Sequence, residues 1–104
     1  MNFEVVMSPE AQSDIRGIGQ YIATELLAPD SAIRIVRELF DEIATLAQLP
    51  ERYPLYHEEP WRSRGIRYFS VRSYNIFYLM DALQERVNIV RILYCRRNPA
   101  NMGL

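Results

Sequence analysis

The sequence predicts an α+β fold made of an N-terminal strand, a hairpin of two antiparallel helices and a three-stranded antiparallel meander, in the order β-α-α-β-β-β. Three observations predict it: a short β-rich segment at the start, two stripes of apolar residues at helical spacing, and three β-rich segments joined by short links. We expect the helices to pack on one face of the sheet and the other face to form a concave, partly polar surface.

The first half of the chain provides the strand and both helices. Residues 3–7 are the strand candidate, and Ser8 with Pro9 marks a helix start, because serine caps free amides and proline suits the first helical position. Gly17 and Gly19 weaken this helix, so tertiary packing must stabilise it. The apolar stripe of the first helix is Ala11, Ile15, Ile18, Ile22 and Leu26. The stripe of the second helix, which begins near Pro29 and ends before Pro50, is Ala32, Val36, Leu39, Ile43 and Leu46, widened by Phe40 and Ala47.

The second half of the chain provides the meander. Residues 50–65 are predicted to be loop, because they contain three prolines and a glycine and show no periodicity. The strand candidates that follow are residues 66–72, 74–81 and 86–95, all rich in Val, Ile, Tyr and Phe. The links between them are too short for a crossover connection, so neighbouring strands should be antiparallel.

Length and composition predict one globular domain covering residues 1–104. No apolar run approaches the roughly 20 residues that span a bilayer, and the first residues lack the basic start and apolar stretch of a signal peptide. The single cysteine, Cys95, excludes an internal disulfide. We therefore expect the protein in the cytoplasm.

Charge is distributed unevenly along the chain. All twelve Lys and Arg positions are arginine. Residues 1–59 contain four arginines and eleven acidic residues, whereas residues 60–104 contain eight arginines and only Asp81 and Glu85 as acids. The near-neutral total argues against a protein that coats nucleic acid, but the basic half suits an anionic partner, either phosphate or an acidic peptide. The alternative is a solvated arginine face without a partner.

Several short motifs stand in order along nearly the whole chain. The helical half contributes Ser8-Pro9-Glu10-Ala11, Asp14-Ile15, Ile18-x-x-Tyr21-Ile22 and Ala44-x-x-Ala47-x-x-Pro50. The strand half contributes Gly65-Ile66-Arg67-x-Phe69-x-Val71, Tyr74-x-Ile76-Phe77-Tyr78 and Val87-x-Ile89-Val90-Arg91-Ile92-Leu93-Tyr94-x-Arg96-Arg97. This ordered set resembles the RelE/ParE toxins of bacterial type II toxin–antitoxin modules. The resemblance implies the fold predicted above and a toxin that arrests growth until its cognate antitoxin neutralises it.

The resemblance leaves two activities open. RelE-like members cut messenger RNA in the ribosome, and ParE-like members block DNA gyrase without being nucleases. The helical hairpin and the last strand are more similar to the ParE branch. The RelE nuclease set is matched poorly, because Asn75 stands where that set has an arginine and no tyrosine or histidine follows Arg97.

Proton transfer is the difficulty for the nuclease alternative. Cleavage by a 2′-hydroxyl needs groups that move protons, and arginine, with a pKa above about 12, serves only to bind phosphate. The candidate catalytic residues are Arg67, Arg72, Arg97 and Tyr94. Other proton carriers are few: His57, Glu58, Glu59, Asp81, Tyr74 and Tyr78. His57 is interpreted as a solvated loop residue and Cys95 as a small buried strand-end residue.

We expect no metal and no cofactor, because the sequence has no cluster of His and Cys. The candidates for binding the target or the antitoxin are Arg67, Arg72, Arg91, Arg96 and Arg97. By strand alternation Arg91 should share a face with Val87, Ile89 and Leu93. A buried arginine needs a partner, so a salt bridge to a helix carboxylate and a role in the groove are equally open for Arg91.

Three hypotheses follow. The first is a toxin that binds a protein target, gyrase, through the arginine-rich half and the C-terminal tail. The second is a ribosome-dependent mRNA endonuclease that holds phosphate with Arg67, Arg72, Arg96 and Arg97. The third is an inactive relative that retains antitoxin binding alone. In each, the antitoxin should lay an acidic and apolar segment on the basic half, forming a toxin–antitoxin hetero-oligomer.

Overall fold

The computed structural model describes residues 2–97 and Pro99, and it contains two helices and one four-stranded sheet within them. The elements, in chain order, are strand β1 (Glu4–Met7), helix α1 (Pro9–Thr24), helix α2 (Pro29–Ala44), strand β2 (Arg67–Val71), strand β3 (Tyr74–Asp81) and strand β4 (Arg86–Tyr94). Short 3₁₀ turns at Thr45–Ala47 and Pro50–Arg52 follow α2. The predicted order of elements is confirmed.

The start of α1 is fixed by Ser8, as the sequence predicts. Its hydroxyl oxygen accepts a hydrogen bond from the Ala11 amide at 3.0 Å, which satisfies one of the free N–H groups of the first turn. The same hydroxyl donates to the Val90 carbonyl at 2.9 Å. One side chain therefore begins the helix and attaches it to β4.

The sheet has the strand order β1-β4-β3-β2. Strands β2, β3 and β4 form the predicted antiparallel meander. Strand β1 pairs in parallel with the first half of β4, from Glu4 opposite Arg86 to Met7 opposite Ile89, so the sheet is mixed. The long path through both helices and the loop makes this parallel pairing possible.

The main core lies between the helices and one face of the sheet. Helix α1 contributes Ala11 and Ile15, and α2 contributes Leu39 and Ile43. The strand residues that meet them include Phe69, Val71, Ile76, Tyr78, Val87, Ile89 and Ile92. The prediction that both helices cover one sheet face is confirmed.

The opposite face of the sheet corrects an expectation, because much of it is covered rather than open. A second cluster of buried side chains lies there, formed by Tyr56, Trp61, Ile66, Phe77 and Leu93. The first three belong to the loop before β2, and the Tyr56 amide donates to the Ile66 carbonyl at 2.7 Å. A proline-rich loop with two large aromatic residues thus has enough apolar area to pack on the sheet.

The predicted alternation along β4 is wrong beyond Ile89. Tyr78 pairs with Ile89 and the next residue back, Phe77, pairs with Arg91, so Val90 is an additional residue in β4. A bulge of this kind shifts the side-chain alternation by one position. Val87 and Ile89 consequently lie in the main core, while Leu93 lies in the second cluster.

Among residues 2–97 and Pro99, no helix is long and apolar enough to cross a membrane.

Candidate functional site

The arginine of β2, Arg67, is directed to the helix side of the sheet and bonded to the chain. It lies two residues before Phe69, which is in the main core. Its guanidinium donates to the carbonyls of Tyr53, at 2.6 Å, and Glu51, at 3.2 Å. Tyr53 in turn stacks on Phe69 with ring centroids 4.3 Å apart. Arg67 therefore holds the segment after α2 against the sheet.

Arg72 occupies the tight turn between β2 and β3, where its backbone adopts a left-handed conformation with φ of 55°. Its Nε donates to Oε2 of Glu38 on α2 at 2.7 Å. This ion pair is half exposed, so its contribution to stability is small. It fixes the direction of the guanidinium, which again lies on the helix side.

The other side of β2 and β3 presents neutral side chains beside the aromatic cluster. Tyr68 packs against that cluster, and the Ser70 hydroxyl donates to Oδ1 of Asn75 at 2.6 Å. Asn75 pairs across the strands with Ser70 on one side and with Leu93 on the other. Strands β2 and β3 thus place no arginine on this face, where a phosphate-binding groove would need one.

Arg91 forms a salt bridge with Asp14 on α1. Its Nε and Nη2 donate to the two carboxylate oxygens at 2.8 and 2.9 Å, and the Ile92 amide donates to Oδ2 at 2.9 Å. The side chains are only 15% and 14% exposed. The hydrogen bond from Asp14 raises the pKa of the Arg91 guanidinium. Of the two alternatives for Arg91, the salt bridge is the one observed.

The segment after β4 carries the remaining candidates. Tyr94, Cys95, Arg96 and Arg97 are all exposed, so the prediction that Cys95 is buried is wrong: the chain turns at Cys95, just after β4 ends at Tyr94. The Cys95 amide donates to the Ser73 carbonyl at 2.8 Å, and the Arg97 amide donates to the Tyr94 carbonyl at 2.9 Å. Both arginines therefore lie next to the β2–β3 turn. The predicted role of the C-terminal tail, apart from Pro99, concerns residues outside the described part of the chain.

The proton carriers do not form an obvious acid–base site. His57 is 67% exposed, and its Nε2 lies 3.7 Å from Oε2 of Glu58, which also accepts a hydrogen bond from the Tyr56 hydroxyl at 3.2 Å. Burial, followed by the contact with Glu58, raises the pKa of Tyr56. Burial also raises the pKa of Tyr74, and that of Tyr78 to about 12. These tyrosines stay protonated at neutral pH, so they are poor bases.

Potential metal ligands are also dispersed. Within residues 2–97 and Pro99, no three His, Cys, Asp or Glu side chains are grouped so that they could hold an ion.

A groove between α1 and α2 was not predicted from the sequence. It has a volume of about 660 Å³ and is open to solvent. Its lining is almost entirely apolar: Gly19, Ala23, Pro29, Ala32, Ile33, Val36 and Phe40, with Arg37 at its edge. We call this the hairpin groove. A smaller hollow lined by Arg16 and Ile15 adjoins it and shares Phe40.

One side chain of the hairpin groove differs from its expected environment. Phe40, expected to widen the apolar stripe of α2, is 46% exposed, and Ile33, for which the sequence gave no expectation, is 59% exposed. At Gly19 the two helices approach closely, because a Cβ there would lie 3.1 Å from Cγ2 of Val36. A glycine at a close helix–helix approach, beside an apolar stripe too wide for one sheet face, indicates a second apolar surface.

Comparison with known families identifies the group of proteins to which the chain is related. Residues 5–99 match the family model of the ParE toxin of the type II toxin–antitoxin system parDE. The chain belongs to this ParE toxin family. No curated sequence matches it significantly.

Solved structures similar to this ParE-family chain come from both branches of the superfamily. A chain of the chromosomal ParDE system from P. aeruginosa gives a TM-score of 0.72 at 17% identity, covering 88% of this chain and 95% of that one. A chain of the RelBE2 complex from Mycobacterium tuberculosis gives 0.68 at 17% identity, covering 90% and 92%. A mutant E. coli RelE in the free state gives 0.68 at 11% identity, covering 98% and 93%. These likenesses establish the fold, and the family match confirms the predicted RelE/ParE relationship.

Proposed function

We propose that this ParE-family toxin arrests growth by binding a protein target, DNA gyrase, and that it does not cleave RNA. The observation that carries the proposal is the placement of the arginines. Arg67 and Arg72, two of the four predicted phosphate ligands, are engaged with backbone carbonyls and with Glu38 on the helix side. The opposite face of β2 and β3 carries Tyr68, Ser70 and Asn75 instead.

The proton balance supports the same proposal. Cleavage of RNA by a 2′-hydroxyl needs one group to remove a proton and another to supply one. The tyrosines near the sheet are held protonated by burial, and His57 is solvated at the surface. A binding toxin needs none of these groups, only a complementary surface.

The test is to induce the chain without its antitoxin and to measure two things in parallel. We expect inhibition of DNA supercoiling by purified gyrase, with messenger RNA ends that match those of uninduced cells in primer extension. New messenger ends that disappear in Arg97→Ala would establish the endonuclease instead. No growth effect at all, with the antitoxin complex still forming, would establish the inactive relative.

The cognate antitoxin is proposed to seat its apolar segment in the hairpin groove. The groove is apolar, and Arg37 and Arg16, both exposed, stand at its margins. This arrangement suits an amphipathic helix with an apolar face and acidic flanks. From the sequence we expected the antitoxin segment to lie on the basic half of the chain. The apolar groove instead favours the two helices as the binding site of its apolar part.

This seat is tested with Ile33→Glu and Phe40→Glu. Each places a carboxylate in the apolar groove and should weaken the antitoxin complex at least about tenfold, because burying an unpaired charge is costly. Growth arrest by the uncomplexed chain should persist. The matched control is Leu83→Glu, which makes the same change at a side chain that is 98% exposed in the β3–β4 turn. Unchanged affinity in both groove variants would contradict the proposed seat.

A further inference from the structure

The two ends of the sheet differ in charge. At one end Asp81 pairs with Arg86, and the turn between them contains Glu85. At the other end Tyr74 pairs with Tyr94, and arginines flank both residues. Arg72 precedes Tyr74 by two positions, and Arg96 follows Tyr94 by two. The acids of the second half of the sequence thus lie at the far end of the sheet from these arginines.

Three tyrosines lie together at this arginine-bearing end. The rings of Tyr74 and Tyr94 pack edge to face with centroids 6.0 Å apart. Tyr21 lies seven residues, about two helical turns, after Asp14, which binds Arg91, and Arg91 precedes Tyr94 by three residues. Burial raises the pKa of Tyr74, and Tyr94 and then Tyr21 raise it further. Tyr94 is 44% exposed and Tyr21, on α1, is 55% exposed. Tyr21 and Tyr94 are therefore the exposed tyrosines of this surface, and the less exposed Tyr74 packs against Tyr94.

Arginine provides the charge of this surface. Arg72 is paired with Glu38, so its charge is compensated locally. Arg96 is exposed and, among residues 2–97 and Pro99, has no carboxylate partner. Tyr21 and Tyr94 can donate O–H groups and Arg96 can donate N–H groups to the same acceptor.

We propose that Tyr21, Tyr94 and Arg96 form the docking surface for an acidic segment of the toxin's protein target. Tyrosine and arginine are the residues that most often dominate binding energy at protein interfaces, because they combine contact area with hydrogen bonding. The inference rests on the proposed function, since it assigns the target of that toxin to one surface. It also separates this surface from the hairpin groove.

The surroundings favour a protein segment over a nucleic acid. Leu26 and Leu27, 57% and 84% exposed, follow Tyr21 at the end of α1. The Leu26 amide donates to the Tyr21 carbonyl at 3.2 Å, which keeps the leucines beside the tyrosine. An apolar margin complements a protein surface and offers nothing to a phosphate backbone.

The experiment compares Tyr94→Ala and Arg96→Glu with the wild-type chain. Both should raise the amount of toxin needed for half-maximal growth arrest by about tenfold or more. Binding to the antitoxin should change by less than about threefold, because its seat is the hairpin groove. The loss caused by Arg96→Glu should become smaller at high salt than at low salt if charge attraction is responsible.

Arg64→Glu is the matched control for Arg96→Glu. It makes the same charge reversal at an exposed arginine of the loop on the opposite sheet face, so it should remain as toxic as the wild type. Arg96 lies outside the strands, so its variant tests the surface even if Tyr94→Ala unfolds. Equal toxicity of Arg96→Glu and the wild type would overturn the proposal. An equal loss of antitoxin binding in Arg96→Glu would also overturn it, by assigning the surface to the antitoxin.

Two further measurements separate the alternatives. The first is binding to poly(U). If the wild-type chain binds poly(U) and Arg96→Glu abolishes both this binding and toxicity, the partner of the surface is a nucleic acid and the proposal is overturned. Purified gyrase unaffected by a wild-type chain that still arrests growth would refute the proposed target. The growth arrest caused by Tyr94→Ala and Arg96→Glu, compared with the wild type, would then still test the docking surface.

Discussion

Asp14 is the side chain on which the junction of α1 and β4 depends. It binds both Arg91 and the Ile92 amide, in a place where water has little access. Asp14→Ala leaves a largely buried guanidinium without its carboxylate and should lower the free energy of unfolding by about 3 kcal/mol. Asp14→Asn keeps one of the two acceptor oxygens but places an N–H donor against Arg91 in place of the other, so it should cost only slightly less, about 2 to 3 kcal/mol. Urea unfolding measures both.

The control for this prediction is Asp41→Ala, at an exposed position of α2. It should change stability by less than about 0.5 kcal/mol. A cost for Asp14→Ala no larger than for Asp41→Ala would mean that the salt bridge contributes nothing.

Ionisation of Tyr78 should make the stability of the fold depend on pH. Its hydroxyl is fully buried and donates to the Pro50 carbonyl at 2.5 Å. Burial raises its pKa from the usual 10.0 to about 12. A group whose pKa is higher when folded contributes stability below its unfolded pKa and loses it as the pH rises. Stability should therefore fall between about pH 10 and 12.

Tyr78→Phe isolates this effect. The variant should be less stable at pH 7 by about 1 to 3 kcal/mol, because the Pro50 carbonyl loses its donor. It should also lose the part of the pH 10 to 12 decline that comes from Tyr78, about 2 to 3 kcal/mol. Thermal unfolding at both pH values measures this, and parallel declines in the two proteins would contradict it.

The candidate arginines were the hardest residues to interpret from the sequence. For Arg91 the sequence left a salt bridge and a role in the groove equally open, and its partner Asp14 lies 77 positions away. The partner of Arg72, Glu38, lies 34 positions away. Such partners are set by tertiary packing, which residue types alone do not reveal. The roles of Arg96 and Arg97 in binding stay predictions.

At the scale of elements, the two glycines of α1 form a matched pair. A Cβ at Gly17 would meet nothing within 4 Å, whereas a Cβ at Gly19 would lie 3.1 Å from Cγ2 of Val36 on α2. Gly17→Ala should stabilise the protein by about 0.5 to 1 kcal/mol, because alanine loses less backbone entropy in a helix. Gly19→Ala should gain clearly less, or lose stability, because α1 and α2 must separate slightly.

Thermal unfolding of the two variants checks this prediction. If both glycines gave the same gain on replacement by alanine, the close approach of the helices at Gly19 would not constrain the fold.

The loop before β2 is an element held by aromatic packing. Trp61, 6% exposed, lies in the cluster that the loop forms with Phe77 and Leu93 of the sheet. Trp61→Ala should remove about 3 to 5 kcal/mol of local stability. The loop should then open, and trypsin should cleave faster after Arg62 and Arg64, both exposed. Leu83→Ala, at a solvated turn, should leave the cleavage rate unchanged, and an unchanged rate in Trp61→Ala would refute the anchoring role.

Periodicity predicted the elements well and their irregularities poorly. The Tyr74–Asp81 strand was predicted to the residue, because its Tyr, Ile and Phe residues stand between clear turns. The bulge at Val90 was not predicted, since nothing in an apolar run identifies the residue that lacks a partner. Residues 50–65 were predicted to be loop, but their packing on the sheet was not predicted, because it depends on strand residues that are distant in the sequence.

At the scale of the whole molecule, one sheet supports two cores of unequal size. The larger core holds both helices, and the smaller holds the loop. The α+β prediction was correct because helical and strand periodicities occupy separate halves of the chain. The expectation of an open concave face was wrong because the 50–65 segment, without periodicity, still carries Tyr56 and Trp61.

The arginines and acidic residues of the second half of the sequence also lie at different places in the folded molecule. The basic half of the chain forms three strands, but its arginines are not spread evenly over them. Arg67 and Arg91 are engaged inside the fold, and Asp81 lies at the opposite end from Arg96. The net charge near zero thus conceals a molecule with one positively charged end.

The parallel pairing of β1 with β4 has a consequence for how the protein is made. The first strand synthesised finds its partner only when residues 86–89 have been added, because β4 lies between β1 and β3. Until then the apolar faces of α1 and α2 have no complete sheet to cover. At about 5–20 residues per second, this interval lasts several seconds for each molecule. A chain that stops before β4 therefore lacks the strand that joins β1 to β3 and cannot form the complete sheet.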